Sequence, residues 1–154
     1  MGVPDLPPDH AMPFLLISAF RGLVDSVHEH LADAGFPHLR AAHGFAMQAI
    51  GNGCTSVELG QRLGVSKQAA AKTARNLEDM GLIERRANPL DGRERILVPT
   101  TQGRRMLQLS ADGFTRLVGR WRVAVGDANV DAVLTTLTQA SHGRRGPTDL
   151  SDWT

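Results

Sequence analysis

The sequence has few features that would support secretion or membrane insertion. Its single cysteine, Cys54, has no partner for an internal disulfide, which fits a reducing compartment. No hydrophobic run approaches the roughly 20 residues of a membrane-spanning helix, and no positively charged segment of the signal-peptide type opens the chain. We therefore expect a soluble, cytoplasmic protein in which Cys54 is a small buried hydrophobic residue, with a redox switch as the alternative.

The common catalytic motifs are also missing. The chain has no phosphate-binding glycine loop, no G-x-S-x-G elbow, no H-E-x-x-H and no C-x-x-C. Of its six histidines only His28 and His30 are close together. Two residues that are two positions apart on a helix do not face each other, so a shared metal is not expected. The sequence thus gives no reason to expect an enzyme, a metal or another cofactor.

What the sequence does contain is enough apolar material for one domain and an uneven distribution of charge. Its 154 residues are 42% hydrophobic, and the formal net charge is only +1. Residues 62–105, however, hold ten Lys or Arg and five Asp or Glu, a balance of +5, which leaves −4 for the remainder. Positive charge concentrated in one segment is the distribution that a phosphate-contacting surface requires.

Two short helices joined by a tight turn are predicted in the middle of the chain. Thr55 followed by Glu58 makes a capping box before a short apolar helix, and Gly64 then breaks the chain. Ser66 is a good N-cap for a second helix, which Gly81 can end in the left-handed conformation. This is the helix-turn-helix arrangement, in which the first helix braces the second against DNA.

The second of these helices has one packing face and one face of donors and methyl groups. At about 100° per residue, the outward face contains Gln68, Lys72 and Arg75, flanked by Ala69, Ala71 and Asn76. Gln, Asn, Lys and Arg can bond base edges in the major groove, where alanine methyls can meet the thymine methyl. The alternative is that this face is the solvated side of an ordinary amphipathic helix. The short helix before it, which would brace it against DNA, favours contact with bases.

Downstream the pattern becomes extended. The β-prone residues 82–87 and 95–99 flank the turn-rich residues 88–94, which predicts a hairpin with a long tip. Cations lie along and beside that tip at Arg85, Arg86, Arg93 and Arg95. A guanidinium there could enter a minor groove or grip a phosphate. The alternative is a solvated hairpin that arginines keep from pairing edge to edge, but directly after a helix-turn-helix a wing is favoured.

These segments together resemble a known family. They read T-S-V-E-L-G-Q-R-L-G-V-S-K-Q-A-A-A-K, then N-L-E-D-M-G-L-I-E-R-R, then N-P-L-D-G-R and V-P-T-T-Q-G, in that order over residues 55–103. In order and spacing they resemble the multiple-antibiotic-resistance regulator (MarR) family of bacterial winged-helix transcription factors. The resemblance implies a mainly α fold with a small β-hairpin wing, in which a winged helix-turn-helix is flanked by long N- and C-terminal dimerisation helices.

The resemblance also implies which residues contact DNA. On the recognition helix they are Ser66, Lys67, Gln68, Ala69, Ala71, Lys72 and Asn76. On the wing, Arg93, held by Asp91, matches the wing-tip arginine of the family. Arg75 on the outward helix face and Arg86 and Arg95 on the hairpin complete the predicted DNA-binding set.

Long helices are predicted on both sides of this segment. Apolar residues recur every three or four positions in residues 12–35 and again in 101–141, leaving 36–100 as the winged segment and 1–11 and 142–154 as flexible ends. The outer helices carry more apolar surface than the winged segment can cover. We expect them to form the two-fold homodimer that the resemblance implies; a monomer with these helices folded back is the alternative.

The sequence therefore predicts a bacterial transcriptional regulator that binds double-stranded DNA, as a homodimeric repressor of a near-palindromic operator. The resemblance implies release by a small aromatic or anionic effector. His28 and His43 are candidates for lining its cavity between the outer helices and the winged segment, with ordinary packing as the simpler interpretation. The alternative function is a winged-helix protein-interaction or dimerisation module without DNA binding.

Overall fold

The computed structural model describes residues 5–141, which form helices around a small antiparallel sheet. A turn of 3-10 helix at Asp9–Ala11 leads directly into the first α-helix. In chain order the elements are α1 (Met12–Asp33), α2 (Ala41–Ile50), β1 (Cys54–Thr55), α3 (Ser56–Leu63), α4 (Lys67–Asp79), β2 (Ile83–Ala87), β3 (Arg95–Pro99), α5 (Thr101–Val125) and α6 (Asp127–Ser141). This is the mainly α fold with a hairpin wing that the sequence predicts. Of the predicted flexible ends, residues 1–4 and 142–154 lie outside the described residues, and Asp9–Ala11 forms the 3-10 turn.

The first two helices are joined by a short loop with one unusual backbone conformation. Helix α1 buries Val24, Val27 and Leu31, which share one face, while its first turns are exposed. After it, His38 adopts a positive φ of 65°, and α2 begins only at Ala41. The Nδ1 atom of His43 accepts a hydrogen bond of 3.1 Å from the backbone N–H of Arg40, which satisfies a free donor at the start of α2.

The helix-turn-helix is capped at both helices. Thr55 and Glu58 form the predicted capping box, because the Glu58 carboxylate accepts from the Thr55 N–H at 2.8 Å and the Thr55 hydroxyl accepts from the Glu58 N–H at 3.2 Å. The turn after α3 passes through Gly64, whose φ of 70° is left-handed. The Ser66 hydroxyl then accepts from the Ala69 N–H at 3.1 Å and starts α4.

The sheet has three antiparallel strands in the order β1-β3-β2. The wing hairpin pairs Ile83 with Pro99 and Ala87 with Arg95, as the two predicted β-prone segments require. The third strand was not predicted: Cys54 pairs with Leu97 and Thr55 with Ile96. This two-residue strand is too short to show an alternating pattern, so only the paired structure reveals it.

The core lies where the winged segment, which includes α2, meets α1 and the start of α5. Its largest fully buried side chains include Leu31, Met47, Leu59, Leu77, Leu97 and Met106. Helix α5 runs without a break through Gly113 and Gly119. None of the helices within residues 5–141 is long and apolar enough to cross a membrane.

The junction between the wing and α5 is closed by backbone and hydroxyl contacts. The Thr100 hydroxyl donates to the Gly81 carbonyl at 2.6 Å and accepts from the Gly103 N–H at 3.1 Å, so one side chain both ties the end of α4 to the wing and caps α5. The Leu82 carbonyl accepts from the Thr100 N–H at 3.0 Å. A Cβ added at Gly103 would collide with that carbonyl oxygen.

We expect Gly103→Ala to destabilise the fold by about 1–3 kcal/mol, because the methyl group would force α5 away from a backbone carbonyl that cannot move alone. Gly119→Ala is the matched control in the same helix, since nothing lies within 4 Å of its added Cβ. The control should leave stability unchanged or raise it by up to about 1 kcal/mol through helix propensity. Urea unfolding followed by circular dichroism measures both, and equal stability of the two variants would contradict the proposed close contact.

Candidate nucleic-acid interface

Helix α4 presents one buried face and one exposed face. Ala70, Ala74 and Leu77 are completely buried, and they recur at the spacing of one helix face. The exposed residues of the predicted reading face are Ser66, Lys67, Gln68, Ala69, Lys72, Arg75 and Asn76, and Ala71 is half-buried. The structure therefore places the donors of this set in solvent, where a groove of DNA could reach them.

Small residues allow α3 to approach α4 closely. A Cβ added at Gly60 would lie 3.2 Å from the Val65 carbonyl oxygen and 3.4 Å from the Ala70 Cβ, so the two helices meet at glycine and alanine. Arg62 of α3 donates to the Ala49 carbonyl at 2.7 Å, which ties this helix to the end of α2. The brace helix is thus held from both sides, and α4 is fixed on it with its donors outward.

The arginines of the wing divide into two groups. Arg85 does not extend toward the tip, because its Nε donates to the Glu78 carboxylate at 3.0 Å and so ties β2 to the last turn of α4. Arg86 is exposed and donates to Glu84 on the same strand at 2.7 Å. Arg93 and Arg95 are exposed, and no described residue forms an ion pair with either. These two are the cations that the wing offers to a partner.

The wing tip is ordered by two side-chain-to-backbone hydrogen bonds. The Asn88 side-chain oxygen accepts from the Leu90 N–H at 3.0 Å, and the Asp91 carboxylate accepts from the Arg93 N–H at 2.9 Å. Asp91 therefore holds the backbone of Arg93 and leaves its guanidinium free to point away. The sequence-based expectation that Asp91 holds Arg93 is realised through the main chain.

The recognition helix and the wing are connected directly at the end of α4. The Leu82 N–H donates to the Leu77 carbonyl at 2.9 Å, and Gly81 between them has a left-handed φ of 72°. With the ion pair between Arg85 and Glu78, these contacts fix the angle at which the hairpin leaves the helix. Lys67, Lys72 and Arg75 of α4 have no ion-pair partner in the described part of the chain, so the exposed face of α4 carries positive charge that no described carboxylate pairs with.

The two candidate ligand histidines occupy different places. His28 lines a pocket of about 120 Å³ between α1, α2 and α5, together with Phe20, Phe45, Gln48, Ser110 and Phe114. Burial lowers the pKa of His28, which favours a neutral ring. His43 is not among the residues that line this pocket, and burial, Arg40 and His28 lower its pKa in that order. Its ring caps α2, so its role in the fold is structural.

Cys54 belongs to the core. It is 2% exposed and pairs in the sheet with Leu97. Burial raises the pKa of its thiol, and Arg62 lowers it by less. A neutral, covered thiol is a poor nucleophile, so the structure favours the packing role over the redox role. Nowhere in the described residues do three His, Cys, Asp or Glu side chains group as metal ligands would.

Comparison with known proteins agrees with this geometry. The MarR family model matches residues 45–94, which run from α2 to the wing tip. No curated protein matches the chain in sequence.

Solved structures share the fold over most of their length. RV1404 from Mycobacterium tuberculosis superposes with a TM-score of 0.72 at 17% identity, covering 93% of this chain and 99% of that one. A MarR family transcriptional regulator from Rhodococcus sp. RHA1 gives 0.64 at 19% identity, covering 90% and 97%. A mutant MarR from E. coli complexed with operator DNA gives 0.63 at 21% identity, covering 85% and 93%. Residues 45–94 thus match the model of the MarR family, and the fold of the chain is the one that these solved structures share.

Proposed function

We propose that the protein is a cytoplasmic, homodimeric transcriptional regulator that binds double-stranded DNA in a sequence-specific manner. It represses from a near-palindromic operator and is released by a small aromatic or anionic effector. One observation carries the proposal. The capped helix α4 exposes a row of donors and cations with no ion-pair partner in residues 5–141, next to a wing whose exposed Arg93 and Arg95 are equally unpaired. A surface of this kind gains most from phosphates and base edges.

The residues of α4 divide naturally between specificity and affinity. Gln68 and Asn76 carry both donors and acceptors, which suits hydrogen bonds to base edges, and the methyls of Ala69 and Ala71 suit thymine. Lys67, Lys72 and Arg75 supply charge. The free N–H groups of the first turn of α4, beside Ser66, add donors for a phosphate. In this arrangement, contacts to the DNA phosphates position the helix, and contacts to the bases select the DNA sequence.

The wing supplies a second set of contacts. Arg93 and Arg95 reach from the tip and the adjoining strand, with Arg86 beside them and Asp91 holding the tip backbone. An arginine at such a tip suits a narrow minor groove, where the negative potential is strongest. A mutant MarR that shares this fold was solved with operator DNA, which supports the same use of the fold here.

Dimerisation follows from apolar surface that the described chain leaves uncovered. At the start of α1, Met12, Phe14, Leu15 and Leu16 are exposed, and Phe14 is 70% exposed. Where α5 meets α6, an apolar groove of about 470 Å³ is lined by Leu23, Val118, Trp121, Val133, Leu134 and Leu137. A second copy covering both patches would set two recognition helices about 34–36 Å apart, one DNA turn, on a palindromic site.

The pocket beside His28 is the proposed binding site of the effector. That pocket is mostly apolar and lies between α2, which supports the helix-turn-helix, and the flanking helices α1 and α5. A ligand that binds there more tightly in one arrangement of these helices would change the spacing of the recognition helices and lower operator affinity.

Removing unpaired cations should weaken DNA binding without unfolding the protein. We expect Lys72→Ala and Arg93→Ala each to lower operator affinity by about tenfold and to make the dependence of log affinity on log salt concentration shallower. Arg21→Ala, which removes an exposed arginine of α1 with no partner in the described residues, is the matched control. Fluorescence anisotropy at several salt concentrations measures these effects. Unchanged affinity in both variants, or wild-type binding without salt dependence, would favour a protein-interaction module.

Gln68→Ala tests base reading separately. If Gln68 contacts a base edge, its loss should lower affinity for the selected operator by about five- to tenfold and leave affinity for random duplex nearly unchanged. Selection from a random duplex pool provides the operator. Competition between operator and random duplex then measures the ratio of the two affinities. An equal loss of affinity for both duplexes would show that Gln68 contacts the DNA backbone and not a base.

The dimer can be tested in the apolar groove of α5 and α6. Leu134→Glu places a charge among apolar side chains, and we expect it to shift the protein from dimer to monomer at micromolar concentration. Leu90→Glu is the control, since Leu90 is exposed at the wing tip, far along the chain from either apolar patch. Sedimentation velocity separates the two species. A Leu134→Glu variant that remains a dimer would place the interface elsewhere.

A further inference from the structure

A second groove lies between α1 and α5, on the other side of their contact from the pocket that His28 lines. It has a volume of about 270 Å³ and is lined by Ser26, Val27, Glu29, His30, Gly113, Arg116, Leu117 and Arg120. Val27 lines both cavities, whereas the other lining residues of the two helices differ. On α1, the residues of the groove and those of the pocket therefore project to opposite sides.

Close packing of the two helices forms the floor of the groove. A Cβ added at Gly113 would lie 3.1 Å from the Val27 side chain, so a residue without a side chain allows the helices to approach at this level. The helices run antiparallel, because Gly113 of α5 meets Val27 of α1, whereas Arg105, nearer the start of α5, donates to the carbonyl of Ala34, just after the end of α1. With Leu117, these residues give the groove an apolar floor.

The polar side chains of the groove converge over that floor. Helical side chains lean toward the N-terminus of their own helix. In an antiparallel pair, His30 on α1 and Arg116 on α5 therefore lean toward the same level, that of Val27 and Gly113. Arg120 follows Arg116 one turn later on the same face, and its long side chain extends toward this level as well.

Arg116 and Arg120 have no structural ion pair among the residues that the structure describes. No described residue forms an ion pair with Arg116 or Arg120, whereas Arg122 on the same helix is paired with Asp127 at 3.2 Å and Asp131 at 2.8 Å. Glu29 is the single acidic residue that lines the groove. Two arginines and one glutamate thus line this groove, in a part of the sequence that is net negative outside residues 62–105.

We infer that this groove is a binding site for a small organic phosphate. Two arginine forks on successive turns match the oxygens of a phosphate group, with His30 and the Ser26 hydroxyl as further donors from the facing helix. The apolar floor of Val27 and Leu117 receives the organic part of the ligand, and Glu29 accepts a hydrogen bond from a hydroxyl or amine on it. The site lies outside the proposed DNA-binding residues and is a different cavity from the pocket beside His28 that is proposed for the effector, so it goes beyond the proposed function and is tested without DNA.

Phenyl phosphate is the probe, titrated by isothermal calorimetry into the full-length protein at constant ionic strength. We expect saturable binding with a Kd of roughly 10 µM to 1 mM. Arg116→Gln and Arg120→Gln should each weaken it by about tenfold, and Arg116→Lys, which keeps the charge but loses the fork, by less. Arg21→Gln and Arg93→Ala should bind like the wild type.

Three results would overturn the inference. Binding that is unchanged in both glutamine variants would show that the groove is not the site. Binding that is lost in Arg93→Ala would assign the phosphate to the wing, and non-saturable binding would show a general attraction to positive charge. Circular dichroism of each variant establishes that it is folded. We expect the variants to fold, because both arginines are exposed and neither has an ion-pair partner within residues 5–141.

Discussion

The junction at Gly81, Leu82, Thr100 and Gly103 is the contact on which the other parts of the molecule depend. Here the end of the recognition helix, the base of the wing and the start of α5 are bonded through main-chain groups and one threonine hydroxyl. Main-chain contacts leave little freedom for one element to shift without the others. The wing and α4 therefore have a fixed relation to α5, which also carries much of the exposed apolar surface.

The sequence predicts those features that local chemistry determines. The caps at Thr55 and Ser66, the left-handed exit at Gly81 and the two wing strands each arise from residues adjacent in the chain, and all of them are found in the structure. The β1 strand is different, because its two residues become a strand only by pairing with β3. Long-range pairing of this kind leaves no local pattern to read.

The candidate site shows the same division between local and tertiary effects. Periodicity places the residues of α4 on the correct faces, so the exposed donors could be predicted from the sequence. It could not show that Arg85 is engaged by Glu78, seven residues earlier, or that His43 caps α2 while His28 lines a pocket. An arginine lacks an ion-pair partner only if tertiary structure brings no carboxylate within reach of it, and local sequence does not show this.

Ion pairs distinguish the arginines that stabilise the fold from those whose charge is free to bind a ligand or DNA. Arg85 and Arg122 each hold two elements together, at the wing base and at the corner between α5 and α6. Among the cations without an ion-pair partner in residues 5–141, two groups lie close together: those on the exposed face of α4 and the wing tip, and Arg116 and Arg120 in the α1–α5 groove. Gly103 at the junction and Gly113 at the groove are ten residues apart on α5, about 15 Å along one continuous helix. Because an unbroken helix transmits rotation and translation between its ends, a ligand that wedges α1 from α5 at Gly113 would act on the same rigid element that positions the wing.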